Sequence, residues 1–171
     1  MTSIAVFELL SDLFKIRADI KWSNDVHVND KKISGILAET VETNKGLAVV
    51  VGIGLNLKSK NFPNELKETA TSIEQETNLE PEIDELLKSL TKLLNHYYSI
   101  IQNENGPRII RDEWAKRSSY FNGKEVRVIL ENETIYGTTC GLEENGALKI
   151  RMDNNQIRVI QAGDVEKLRQ S

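Results

Sequence analysis

Residues 20–39 read IKWSNDVHVNDKKISGILAE, and what this stretch becomes decides the fold. Ile20 to Val28 alternates loosely between apolar and polar residues, as a half-buried strand does. Asn29-Asp30 is a turn pair, since both side chains bond to nearby backbone and both residues tolerate left-handed conformations. Lys32 to Thr43 then returns as a second strand, and a connection this short makes the two antiparallel. Alternation sends Lys21 and Ser23 to one face and Trp22 and Asn24 to the other. Gly35 inside a strand weakens packing and suggests close approach of a backbone or a ligand. Lysines beside an exposed main-chain amide suit a carboxylate or a phosphate. A solvated hairpin whose lysines protect an edge strand fits the same residues.

Working outward, Thr43-Asn44-Lys45-Gly46 is a turn and Leu47 to Leu57 (LAVVVGIGLNL) a third strand. Its run of valines predicts burial on both faces. Gly52 and Gly54 at its end let something approach the main chain, and Asn56 offers both donor and acceptor groups. An adenine edge is one partner for this pattern; a bulge before a loop is the other reading. It is not a dinucleotide fingerprint, because a third glycine and an immediate helix are missing.

Residues 4–16 upstream are apolar around most of a helical surface, which predicts a buried helix. Residues 58–78 are polar and read as a long loop with one turn of helix. Pro81 opens an amphipathic helix marked by Ile83, Leu86, Leu87, Leu90, Leu93, Leu94, Tyr97 and Ile101. Gly106-Pro107 ends it, and a shorter helix with Ile110 and Trp114 follows. From Tyr120 the texture changes to four short strands, EVRVIL, TIYGTTC, ALKIRM and QIRVI, which suggest a small SH3-like barrel. The expected boundary is near Ser118-Ser119, giving units 1–118 and 119–171. The fold class is α+β: a mixed, mainly antiparallel sheet flanked by helices, then the barrel.

The chain has 171 residues, a formal charge of −4 and one cysteine, Cys140. That charge gives no bulk attraction to nucleic acid or anionic lipid. The apolar opening is interrupted by Glu8 and Asp12, so no membrane span is expected there. A lone cysteine cannot form an internal disulfide, which fits a reducing cytoplasm. His27 and His96 lack the spacing of a structural zinc site.

Four blocks in order, KWSNDVHVNDKKISGILAE, VVGIGLN, FPNELKETATSI and the leucine-rich helix with its terminal barrel, resemble the biotin–protein ligases (holocarboxylase synthetases). The resemblance spans nearly the whole chain. It implies a core like that of the class II synthetases and a two-step reaction. Biotin's carboxylate attacks the α-phosphorus of ATP to give biotinyl-5'-AMP, and a lysine of a biotin carboxyl carrier protein then takes the biotinyl group. By position in the motif, Lys32 matches the lysine that contacts biotin and the adenylate. Gly35 leaves room for main-chain contact, Lys21 and Asn24 line the site, and Asp25 orients the incoming amine. Gly54 and Asn56 match the segment beside the adenine, and the loop from Phe62 to Ser72 the one that orders over the adenylate. Mg²⁺ is expected with ATP, and no further metal.

Two departures from the family pattern matter. Ser23 stands where the family has proline, which loses a φ constraint but no charge. A Gly-Arg-Gly-Arg-x-Gly loop that precedes this region in the family has no counterpart, since all ten glycines lie at position 35 or later and none follows an arginine. The resemblance therefore implies a chain that begins inside the catalytic core and alone transfers little or no biotin. The alternative is a noncatalytic remnant or half-protein that binds a partner. Either way the expectation is an uncovered sheet edge with marginal stability, aggregation or homodimerisation. No helix-turn-helix module is recognised, so DNA binding is not expected.

Overall fold

The computed structural model describes residues 1–60 and 62–167. Helix α1 (Thr2–Phe14) ends at Lys15, which takes a left-handed conformation at φ 57°; the Lys15 N–H donates to the Ser11 carbonyl and the Ile16 N–H to that of Leu10. Its apolar surface is buried, with Ile4, Val6, Leu9 and Leu10 fully so.

The first sheet has the order β1-β2-β3-β4, with all neighbours antiparallel. Strand β1 is Asp19–Lys21, β2 Asp25–Val28, β3 Lys31–Thr43 and β4 Gly46–Leu55. The single strand expected from Ile20 to Val28 is instead two strands paired with each other. The chain turns back at Trp22–Asn24, where the Trp22–Ser23 peptide is cis. The β2–β3 turn forms as its sequence predicts, with Asn29 and Asp30 both at positive φ, 51° and 63°. The valine run of β4 departs from expectation: Val49, Val50 and Val51 are exposed, because among the described residues β4 is the sheet edge and neither of its faces is fully covered.

The polar segment after β4 carries a short 3-10 turn (Asn64–Leu66) and helix α2 (Ile73–Thr77). Ser72 caps α2 by accepting from the Gln75 N–H. Helix α3 (Ile83–Ile101) crosses α1, burying Leu86 and Tyr97, while Ile83 and Leu87 from the same predicted stripe stay in solvent. Helix α4 (Gly106–Lys116) starts at the glycine expected to end α3. Glu8 joins the helices: it accepts from the Tyr97 hydroxyl at 2.6 Å and from Arg117 at 2.7 Å.

The second sheet has five strands in the order β8-β7-β6-β5-β9, all antiparallel. They are β5 (Asn122–Ile129), β6 (Thr134–Leu142), β7 (Leu148–Arg151), β8 (Ile157–Ile160) and β9 (Asp164–Lys167). The fifth strand, beyond the four expected, brings the chain end back onto β5. One buried apolar cluster spans both sheets, from Ile4, Ile20, Trp22, Tyr97 and Trp114 to Tyr120, Val126 and Ile150. Trp22 Nε1 donates to the Gly146 carbonyl at 3.0 Å across that junction. None of the described helices is long and apolar enough to cross a membrane.

Candidate functional site: a lysine over a glycine floor

Register creates the site. Asp25 on β2 lies opposite Gly35 on β3, and Gly35 lies opposite Gly54 on β4. Two of the three positions in that row lack a side chain, so the sheet presents bare peptide groups there. Gly52, opposite Leu37, extends the bare surface. The result is a shallow cleft of about 460 Å³ bordered by Asp25, Lys32, Gly35, Leu37, Gly52 and Gly54. Lys32 reaches across it. Its ammonium is 2.7 Å from Asp25 Oδ1 and lies directly above Gly35, where a Cβ would meet Lys32 Cε at 2.8 Å and Nζ at 3.0 Å. A side chain at this position would displace the end of the Lys32 side chain from the floor of the cleft.

Asp25 is the electrostatic centre of the wall. Partial burial pushes its carboxyl up, but the neighbouring His27 and Lys32 side chains outweigh that and hold it below its ordinary value. It is therefore a carboxylate at neutral pH. His27 Nε2 stands 3.8 Å from Asp25 Oδ2, beyond hydrogen-bond reach. The sequence signal for His27 was its spacing two residues from Asp25, which puts both on one strand face.

A second segment braces Lys32 from below. The Lys32 N–H donates to the Thr69 carbonyl at 2.8 Å, and the Thr71 N–H donates back to the Lys32 carbonyl at 2.9 Å. Asn56 Nδ2 bonds the carbonyls of Lys32 (3.2 Å) and Thr71 (3.0 Å), tying the end of β4, the start of β3 and this loop together. Both Asn56 amide hydrogens thus face main chain.

The expected site residues divide into two groups. Lys32, Asp25, Gly35 and Gly54 come together at the cleft. Lys21 points away, its ammonium 3.4 Å from Asp164 on β9. Asn24 sits in the β1–β2 turn, where its carbonyl accepts from the Ile36 N–H at 2.9 Å, and it lines a different and larger cleft of about 620 Å³. That larger cleft lies among α1, α4 and the β6–β7 loop, with Trp22, Arg111 and Gly146 in its walls. The smaller cleft has the features an anionic ligand needs, a cation and open backbone; size alone does not make a site.

Residues 2–56 match the biotin/lipoate A/B protein ligase family, and residues 121–168 match the biotin protein ligase C terminal domain. The chain belongs to the biotin protein ligase family. It is 30% identical to the bifunctional ligase/repressor BirA of Bacillus subtilis, over 97% of this chain and 51% of that protein. It is also 30% identical to the biotin–[acetyl-CoA-carboxylase] ligase of Paracoccus denitrificans, over 79% of this chain and 57% of that protein. Among solved structures, the biotin protein ligase from Aquifex aeolicus in complex with biotin and ATP superposes with a TM-score of 0.82. It is 27% identical, and the match covers 99% of this chain and 69% of that one. The chain thus spans about half the length of the first of these curated relatives.

Proposed function

We propose that this chain serves the ATP-dependent attachment of biotin to a lysine of a biotin carboxyl carrier protein, through biotinyl-5'-AMP, in the cytoplasm. The observation that carries the reading is the Lys32 ammonium suspended over the Gly35–Gly54 backbone. The solved relative that holds biotin and ATP supports it.

The chemistry brings two anions together, a carboxylate and the α-phosphate, so a fixed cation lowers the cost of their approach. Lys32 is that cation, and the missing side chains at Gly35 and Gly54 leave room for the ligand to lie against the sheet. In the first step a carboxylate oxygen bonds to phosphorus as the bond to pyrophosphate breaks. In the second, the carrier's amine nitrogen bonds to the acyl carbon and AMP leaves with the bonding pair. The amine must be neutral to attack, and Asp25 at the rim orients it. Asn56 acts through Lys32 as a positioning residue. Lys21, turned to Asp164, and Asn24, in the β1–β2 turn, lie outside the cleft and are given no part in these two steps. Mg²⁺ would arrive with the ATP phosphates. The described residues contain no group of three His, Cys, Asp or Glu side chains suited to an ion, so no step is assigned to one. Residues 1–118 form the catalytic portion in this reading and 119–171 an SH3-like domain, supported by the start of β5 at Asn122.

The test is titration of the chain with biotin, alone and with ATP, followed by addition of a biotin carboxyl carrier domain and a mass measurement. Biotin binding that depends on Lys32 is the expected result. A folded chain that binds neither biotin nor biotinyl-5'-AMP would overturn the reading.

A noncatalytic half that binds a partner has its own supporting observation. Leu37, Leu47, Val49 and Val50 are all more than half exposed, and no charged residue occurs from Gly46 to Leu57. Such an edge meets no like-charge barrier to pairing with a second copy of itself. Homodimerisation through β4 predicts concentration-dependent sedimentation, which Val50→Lys shifts to monomer. Unchanged self-association in that variant would rule out the β4 edge.

A further inference from the structure

Two buried side-chain polar atoms among the described residues have no hydrogen-bond partner, Ser34 Oγ and His27 Nε2. Ser34 lies opposite Val26 and Leu55, on the sheet face that packs against α1, away from the cleft. His27 is placed differently. It lies on the cleft side of β2, across from Lys32, with its orphan nitrogen turned toward the free oxygen of Asp25.

The three groups form a row. Lys32 holds Asp25 Oδ1 at 2.7 Å, and His27 Nε2 stands 3.8 Å from Oδ2. One neighbour of the carboxylate is a permanent cation. The other is the only type of side chain whose ordinary titration falls between about pH 5 and 8. With His27 neutral, Asp25 has Lys32 as its counter-ion. With His27 protonated, the carboxylate gains a second cation on its far oxygen, and its hold on Lys32 weakens as the charge is shared.

The remaining charged groups around His27 do not replace Asp25 in this role. Asp19, its cross-strand partner on β1, is held by the Ser119 N–H, the Ser119 hydroxyl and Lys124. Lys21, opposite Asp25, is turned to Asp164 of β9. Tyr120 of the barrel carries Lys124 over its ring and lies in the fields of Asp19, Asp30 and Asp164.

We infer that His27 is a positioning residue: its protonation draws Asp25 off Lys32 and releases the Lys32 ammonium to the anionic group of a ligand in the cleft. Identifying that ligand as biotin or its adenylate rests on the function proposed above, whereas the coupling among the three side chains does not.

The experiment has two arms on the whole 171-residue chain. In the first, NMR follows the His27 ring, Asp25 Cγ and Lys32 Cε without ligand from about pH 5 to 8. The three are expected to inflect at one shared midpoint. His27→Gln should remove the inflection from Asp25 and Lys32, and Asp25→Asn should remove it from Lys32. In the second arm, biotin is titrated at both ends of that range. The wild-type chain should bind roughly 5-fold more tightly at the acid end, a typical coupling between neighbouring sites. His27→Gln should flatten the difference. Asp25 and Lys32 signals that ignore His27, or keep their inflection in His27→Gln, would sink the inference. Coupled titrations with no biotin binding at any pH would support it while overturning the biotin reading of the cleft.

Discussion

Lys32→Ala is expected to weaken biotin binding by roughly 10- to 150-fold, the range of one lost hydrogen bond to a charged group. The size follows from the site having one cation at its centre. Among the described residues no other cation lines the cleft: Lys21 is turned to Asp164, and Lys31 reaches the Lys67 carbonyl at 3.4 Å. Removal also leaves the Asp25 carboxylate facing any incoming anion, so the variant gains repulsion as well as losing attraction. Lys31→Ala is the matched control, and its exposed contact predicts a change within about twofold. Calorimetric titration reads both affinities, and thermal melts establish that both variants fold. Equal losses in the two variants would mean that general charge, not the Lys32 position, governs binding.

Asn56→Asp should be the most damaging single-atom change near the site. The nitrogen that donates to the Lys32 and Thr71 carbonyls becomes an oxygen, so two acceptors face a third. Leaving such partly buried groups unmatched costs about 1–3 kcal/mol, and more when the intruding group is charged. The loss should appear in urea denaturation as a lower midpoint with an unchanged slope. Binding should suffer in addition, because the Thr69–Thr71 segment is what fixes the backbone of Lys32. Asn56→Ala, which removes the donors without adding charge, is expected to fall between wild type and Asn56→Asp in both measurements. The reverse order would show that the asparagine acts on ligand rather than on main chain.

Local chemistry made part of this site legible in the sequence. Asn29-Asp30 announced the β2–β3 turn, which starts β3 at Lys31, but Lys32 and Gly35 are three residues apart and meet over one face only through the register shift opposite Val26 and His27. Gly52 and Gly54 were visible as a break in packing. Most of the places where sequence failed share a physical cause, distance along the chain; the turn at Trp22–Asn24 is the local exception. The direction of Lys21 is set by Asp164, 143 residues away, and no local pattern encodes that contact. The hidden turn at Trp22–Asn24 splits what alternation alone reads as one strand. Strand β9 has the residues DVEK, too short and too charged to show a period, and it forms because β5 offers an unpaired edge. Asn56 looked like a ligand contact because its side chain can do either job. Only the positions of the Lys32 and Thr71 carbonyls assign its amide to the backbone.

The apolar cluster that runs from Ile4 and Ile20 through Trp114 into Val126 and Ile150 makes the barrel a structural dependent of the helices beside it. Where one core serves both sheets, the elements that share it unfold together, and amides in β6 should exchange with solvent at nearly the same free energy as those in β1, whose Ile20 lies in that core. Cutting the chain at Ser118 would expose Tyr120 and Trp22 together rather than free a self-sufficient module. The ligand cleft, which lies on only one of the two sheets, is in this sense held by both.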